Sequence, residues 1–480
     1  MKPAGIPAAS SMLLRRLSKY HPPRASRFGR ANTPAVIMRR SASAPIGPQG
    51  ECGVRKLILL LVVVAAALLL AVPRIVGALA QRQVDDYVAT LNSAAATGSG
   101  PQITAHSYDR GWFEAHSSQR IALNEGSDDA PVFLVVDSRI EHGLILDDSS
   151  PGLGLAEVFS SFSLVDEDER VELPLTATTR IHLNGAASSF VSGETIDHRF
   201  DESGSRLRWD GGEMRLDIGA GGSSIAANGS FGQLQIDQDE NSLTFGPMQL
   251  AGDQRLSTHQ LWLGASNLSI EKLAVADPAT GSFQVQDFDF FSDARLDGER
   301  LAYAFVAEAA RITTPAFDDG QLRISMELSD LHAELAAGLR DKYARQDGVE
   351  AASGPGWAEM EADMLNLLAQ GGRLDIEKFF IATEDGRLDA SAQLVVASDA
   401  GAPVLVELLM ALKGEIDLVV SKALLAAAAE NNPQLAQAAS MLFKAGYLLE
   451  ENDDFVLKAA YTGGLLTING LPLPLPLPVR

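Results

Sequence analysis

The hydrophobic pattern changes period along the chain, and each period predicts a different element. Leu57–Val72 (LILLLVVVAAALLLAV) is an unbroken apolar run; Pro73 and Arg74 interrupt it, and Ile75–Ala80 is apolar again. Taken as one helix, 57–80 reaches roughly 36 Å at ~1.5 Å per residue, enough for a ~30 Å hydrocarbon layer. Arg74 near its end can snorkel to the headgroups, and a membrane helix tolerates Pro73. A cleaved signal peptide is the competing reading, since Ala78-Leu79-Ala80 fits a small-residue cleavage pattern. In Gln81–Asn92 the period becomes helical, with Ala80, Val84, Val88 and Leu91 three or four residues apart. This predicts a stalk continuing the anchor, with a small-residue hinge at Ala94–Gly100.

From Pro101 to about Leu328 the period is two. Leu216-Asp217-Ile218, Leu234-Gln235-Ile236, Leu261-Trp262-Leu263, Phe283-Gln284-Val285, Phe288-Asp289-Phe290 and Leu322-Arg323-Ile324 alternate apolar and polar. Asn124-Glu125-Gly126, Asn184-Gly185, Asp210-Gly211-Gly212, Asn228-Gly229, Asp253 and Asp297-Gly298 are read as hairpin turns between strands. Alternation implies one wet face, hence a mainly antiparallel sheet. Helices then mix in at Ser329–Tyr343, Trp357–Ala369, Ser421–Glu430 and Pro433–Gly446. Strands return at Leu374–Ala382, Arg387–Ala397, Phe455–Tyr461 and Leu465–Ile468. The loose strand–turn–strand recurrence is too irregular for a solenoid. Leu471–Pro478 alternates Leu and Pro; ladder donors are missing there, so it is an edge strand or a polyproline tail.

The expected fold is α+β. An N-terminal single transmembrane helix precedes a large, mainly antiparallel β-sheet exported domain, with C-terminal helices packed on one face. The segments are a basic cytoplasmic tail (1–53), the anchor (54–80), stalk and hinge (81–98), a β-rich region (99–328) and a mixed helix/strand region ending in the Leu-Pro tail (329–480).

Charge gives the orientation. Residues 1–56 hold eleven Lys+Arg against Glu51 alone, which leaves 28 bases against 61 acids for 57–480. Arg55 and Lys56 directly precede the apolar run, so the positive-inside rule places the N-terminus in the cytoplasm and exports the acidic part. An acidic ectodomain shares the sign of phosphate, which argues against a nucleic-acid partner. The basic tail suits a solvated segment, or one drawn to anionic lipid. The single cysteine, Cys52, lies before the apolar run and supports no disulfide framework, thiolate metal site or lipoprotein anchor.

Three stretches carry a family resemblance. Ser107-Tyr108-Asp109-Arg110-Gly111-Trp112-Phe113 follows the anchor; residues 374–394 (LDIEKFFIATEDGRLDASAQL) form a strand, acidic turn and strand; and Gly464–Leu473 closes the chain. This order resembles the YdgA-like family of bacterial inner-membrane-anchored proteins of unknown function, over about 54–475. The resemblance implies a Gram-negative inner membrane and a periplasmic domain, and carries no catalytic residue. By fold-level analogy it suggests the β-rich AsmA-like proteins that handle envelope lipids.

Candidate chemistry is sparse. In Tyr108–Phe113, Gly111 would supply positive φ for a turn or bulge, and Trp112 and Phe113 would point to opposite faces of a strand as core aromatics. The functional alternative makes Tyr108, Arg110, Gly111, Trp112 and Phe113 a docking point for the membrane-proximal helix or a partner. Leu471, Pro472, Leu473 and Pro474 form a candidate partner tail. No HxH or HExxH pair exists; His106 and His116 could face each other across a hairpin, but two ligands make a poor zinc site. The acidic clusters Asp128-Asp129, Asp147-Asp148, Asp166–Glu169 and Glu450–Asp454 suit solvated turns, and Asp287-Phe288-Asp289 with Asp293 suits a strand better than a calcium loop. Gly219–Gly222 lacks the following helix of a dinucleotide site, and no GxSxG elbow occurs.

The expectation is a periplasmic envelope protein on the bacterial inner membrane, without metal or cofactor and more a binder than an enzyme. It would act as a scaffold, or hold a lipid or other amphiphile in an apolar sheet groove. A protein–protein interaction module of the envelope and a two-carboxylate hydrolase are the alternatives.

Overall fold

The computed structural model describes residues 102–473 except 123–131, 144, 147–151, 167–168, 201–203, 239, 278–280, 316, 344–355, 397–404 and 432. It also describes helical residues 74, 77, 78, 81, 85, 88, 89 and 92. All belong to one compact unit, Val63–Arg480. Residues 54–73, most of the expected anchor, lie outside the described set. Among the described residues no helix is long and apolar enough to cross a membrane.

The chain is mostly β. The strands are β1 (Ile103–Arg110), β2 (Glu114–Ala122), β3 (Val132–His142), β4 (Ile145–Leu146), β5 (Gly152–Leu153), β6 (Ala156–Asp166), β7 (Glu169–Ile181), β8 (Ala187–Gly193), β9 (Ile196–Arg199), β10 (Arg206–Trp209), β11 (Gly212–Ile218), β12 (Ser224–Phe231) and β13 (Leu234–Gln238). They continue as β14 (Asn241–Phe245), β15 (Met248–Leu256), β16 (Trp262–Asp277), β17 (Gly281–Asp297), β18 (Arg300–Thr314), β19 (Phe317–His332), β20 (Gly372–Thr383), β21 (Gly386–Val396), β22 (Leu412–Ser421), β23 (Leu449–Glu451), β24 (Asp454–Thr462), β25 (Leu465–Ile468) and β26 (Leu471–Leu473). Five helices interrupt the later strands: α1 (Ala333–Tyr343), α2 (Gly356–Ala369), α3 (Leu405–Ala411), α4 (Lys422–Asn431) and α5 (Pro433–Lys444).

All strands except β4 and β5 join one sheet, and every pairing is antiparallel. The main ladder runs β1-β2-β3-β6-β7-β8-β11-β12-β15-β16-β17-β18-β19-β20-β21-β22-β24-β25-β26. Strand β19 crosses the expected 328/329 boundary and pairs on both sides, so the two β-bearing regions share this sheet. A side ladder, β9-β10-β13-β14, rejoins it at β16.

The side ladder arises from a crease. Gly193 pairs with Gly212 on one side of it and Ile196 with Trp209 on the other. The same two-residue skip recurs at Asp210-Gly211, Gly232-Gln233 and Gly246-Pro247. Bonds across the skips (Asp210 N–H to Gln233 O, 2.9 Å; Gly232 N–H to Gly211 O, 2.7 Å; Glu271 N–H to Pro247 O, 2.9 Å) keep the backbone satisfied. Asp210-Gly211-Gly212 is therefore a bend inside a long chain run, as bulges are, and not the expected hairpin. Asn228-Gly229 and Asp253 lie within β12 and β15 and are not turns either. Asn184-Gly185 and Asp297-Gly298 do sit at hairpins, between β7 and β8 and between β17 and β18. Gly193 marks the inside of the crease: a Cβ there would come 2.0 Å from the Trp209 ring.

Alternation across this register gives two unlike faces. On one, Leu268, Phe290, Ala307, Ile324, Phe379 and Ala390 follow one another strand by strand. On the other, Asp289, Glu308, Arg323, Phe380 and Asp389 do the same. Trp209 of the side ladder overlies Gly193 of the main one, so the apolar face continues over the crease.

Helices meet the apolar face near its ends. The leucines of α1 join the buried cluster of Leu261, Leu301, Leu331 and Leu367. Phe443 of α5 packs edge-on against Phe455 of β24, centroids 5.8 Å apart.

Candidate functional site

The Tyr108–Phe113 segment ends β1 and forms the turn into β2. Gly111 is needed there for close approach and not for positive φ, which it does not have: its N–H donates to Glu114 O at 2.8 Å, and a Cβ would lie 2.6 Å from that oxygen. Trp112 and Phe113 occupy the turn itself and not a strand, and are 48% and 53% exposed, so the expected core aromatics are surface groups. Tyr108 faces inward beside Ala115, Ile140 and Ala156, and burial pushes its hydroxyl pKa up.

This segment meets the helix that precedes the sheet. The Arg74 guanidinium lies over the Trp112 ring, 5.2 Å from its centroid. One turn on, Gly77 is buried against His142: a Cβ on it would come 2.8 Å from His142 Nε2. Two turns further, His106 Nε2 donates to Asp85 Oδ1 at 3.1 Å. At the far end Asn92 clamps the sheet edge: Ile103 N–H donates to its Oδ1 at 2.8 Å, and its Nδ2 donates to Ile103 O at 3.0 Å. These positions share one helical face, and Val88 is half-buried on it. Arg110 adds a positive charge beside Tyr108 and His142.

The middle of the apolar face is open. Ile236, Leu243, Val275 and Phe283 form one row in register across β13, β14, β16 and β17. Ile236, Val275 and Phe283 are 38–39% exposed, well beyond a packed core.

The polar face holds a cavity of about 650 Å³ across β1, β2, β3, β6 and β7, lined by Ser118, Asp137, Ser161 and Thr176 with Asp109 and Arg139 beside them. The Ser118 hydroxyl and Arg170, 2.7 Å from Asp137 Oδ2, hold that carboxyl below its usual range. It is thus an ionised group, suited to accepting hydrogen bonds and not to acting as a general acid. A smaller hollow of about 290 Å³ collects Asp375, Glu377, Glu415 and Asp417. Arg373 at 2.5 Å and Gln393 at 2.8 Å occupy Asp375. Among the described residues no group of His, Cys, Asp or Glu is placed to hold a metal ion. His106 pairs with Gln119, and His116 with Asp109, so the two histidines do not face each other.

Leu471–Leu473 pairs with β25 as the last strand of its sheet edge, with Pro472 opposite Thr467. Pro474 lies outside the described residues. Sequence reasoning missed β22 and α3, the crease, and His142. Ile416-Asp417-Leu418 does alternate and could have disclosed β22; α3 is a seven-residue, almost wholly apolar stretch without helical period, and the crease and the place of His142 are defined by long-range contacts.

Neither the curated proteins nor the solved structures contain a match to this chain. A family model described as "Bacterial protein of unknown function (DUF945)" matches residues 54–476, nearly the whole sheet-forming chain together with the helix docked on it. The chain therefore belongs to the bacterial family of unknown function DUF945.

Proposed function

We propose that this protein is a non-enzymatic envelope protein that holds a lipid or other amphiphile on the open apolar face of its sheet. The observation that carries this reading is the row Ile236–Leu243–Val275–Phe283, apolar, contiguous and wet. Burying such surface against an acyl chain gains ~25 cal/mol per Å². The charged opposite face keeps the sheet soluble on its other side.

The sequence supports the setting. The apolar run ending at Val72, preceded by Arg55 and Lys56, suits a single pass of the inner membrane with the acidic domain in the periplasm. Arg74 and Gly77 pack on Trp112 and His142, so a bilayer-crossing part would be confined to residues up to 73, about 26 Å of helix instead of the 57–80 first expected. The helix–sheet contacts would then hold the apolar face near the membrane from which an amphiphile is drawn.

Full-length protein, purified in a non-lipid detergent and analysed by native mass spectrometry after incubation with phospholipid vesicles, is expected to carry bound lipid. Phe283→Ser with Val275→Ser is expected to carry several-fold less. Lipid-free spectra for the unaltered protein, together with no transfer between vesicles, would sink the reading. Phe113, exposed beside the docked helix, favours a second reading in which this corner binds another envelope protein. Photo-crosslinking from position 113 in cells is expected to give discrete protein adducts if so.

A further inference from the structure

His142 has no role in that reading, yet it sits where the preceding helix meets the sheet. The residue is 2% exposed, and neither Nδ1 nor Nε2 has a side-chain hydrogen-bond partner. Its cross-strand partner is Ala156, and Gly77 of the helix closes over Nε2. A neutral imidazole tolerates such a site at modest cost, whereas an imidazolium without an acceptor does not. We propose that the helical residues described between Arg74 and Asn92 are latched to the sheet by an uncharged His142, and that protonation of this ring releases them.

The two charges that act on the ring oppose each other, and the repulsion is the larger. From β1, Arg110 repels an added proton; from β2, Glu114 attracts one, with the smaller effect. On β3, Glu141 is engaged by Arg139 at 2.5 Å, and on the helix the preceding described charge is Arg74, already stacked on Trp112. Burial, the largest influence, pushes the His142 pKa below its ordinary value and outweighs the next, the pull of the residue's own backbone on the ring proton, which acts the other way. The docked state thus binds fewer protons than the released state. Docking is strongest above the ordinary histidine range, near 6.5, and weakens as pH falls through it. His106 and Asp85 also meet across this contact, 3.1 Å apart, with Asp85 52% exposed so that solvent screens the pair. Release would expose the helix-side flank of Ala115, Ile140 and Ala156, the end of the apolar face. That consequence for amphiphile entry rests on the proposed function; the latch itself does not.

The test uses the full chain in detergent with Cys52→Ser and Arg74→Cys, labelled at position 74 with bimane, which Trp112 quenches at contact. Quenching is expected at pH 8, and fluorescence is expected to rise at least twofold by pH 5.5 toward the level of Trp112→Phe. His142→Phe is expected to stay quenched throughout, and His106→Gln to keep the rise. Exchange of the Ile103 amide, which donates to Asn92, gives a reading without substitution: corrected for intrinsic rate, its protection is expected to fall at least tenfold over the same range. An acid response retained in His142→Phe, or flat fluorescence and unchanged Ile103 protection in the otherwise native chain, would overturn the latch. Neither readout involves lipid, so the outcome is separate from that of the vesicle experiment.

Discussion

At the scale of single residues the molecule depends on a few close approaches. Gly193 is one of the sharpest, because the Trp209 ring occupies the space of a side chain. Gly193→Ala must displace that ring or open the crease, and overpacking of this kind typically costs ~1–3 kcal/mol. The expected outcome is a lower urea midpoint that Trp209→Leu partly restores. Asp137 makes a smaller contribution. Its folded pKa is lowered by Ser118 and then Arg170, so its contribution is full above the unfolded value near 3.9 and is lost as pH falls through the folded one. The side chain is 41% exposed, which limits the contribution to under about 1 kcal/mol. Asp137→Asn should therefore be slightly less stable than the parent at pH 7, and the difference should shrink as pH falls below the ordinary carboxyl range, as read by denaturant titrations across that range.

At the scale of elements, the side ladder and the long strands differ in what holds them. Strands β9, β10, β13 and β14 have four or five residues each, and β13 and β14 carry the Ile236 end of the open apolar row. Strands β16 to β19 have fifteen to seventeen residues and pair along most of their length. Local opening follows the density of buried contacts, so amides of Leu207 and Ile236 should exchange at least tenfold faster than those of Phe290 and Val306 in native-state hydrogen exchange. The same contrast explains what the amino-acid sequence disclosed. Strict alternation in Phe288-Asp289-Phe290 and Leu322-Arg323-Ile324 reflects a sheet with one apolar and one charged face, so these strands were legible. Asp210-Gly211-Gly212 was not, because a bend within a strand run and a hairpin turn use the same residues for the same backbone freedom. Which one forms depends on whether the partner strand bends too, and Gly232-Gln233 does. The docked helix was half legible: its stripe shows in Val88, but Gly77 means nothing without His142, 65 positions away.

At the scale of the whole molecule the unusual feature is a very broad sheet whose apolar middle has no second layer among the described residues. A soluble domain normally buries such a face beneath a second layer. Here Ile236, Val275 and Phe283 stay wet, while helices take the ends. An exposed face of this size invites self-association unless it is kept apart by charge or occupied. The 28 bases against 61 acids of residues 57–480 provide the charge. If charge alone protects the face, raising ionic strength should promote association, because screening at 1 M salt shortens the reach of repulsion to ~3 Å. If an amphiphile occupies it, protein carrying lipid should stay monodisperse at 1 M salt while delipidated protein associates. Light scattering on the two preparations, at 0.05 M and 1 M salt, separates these cases. The proposed function requires the second: delipidated protein associating in high salt, and recovery of the monodisperse form when phospholipid is returned. Association that lipid does not reverse would show that the face is made for another protein surface.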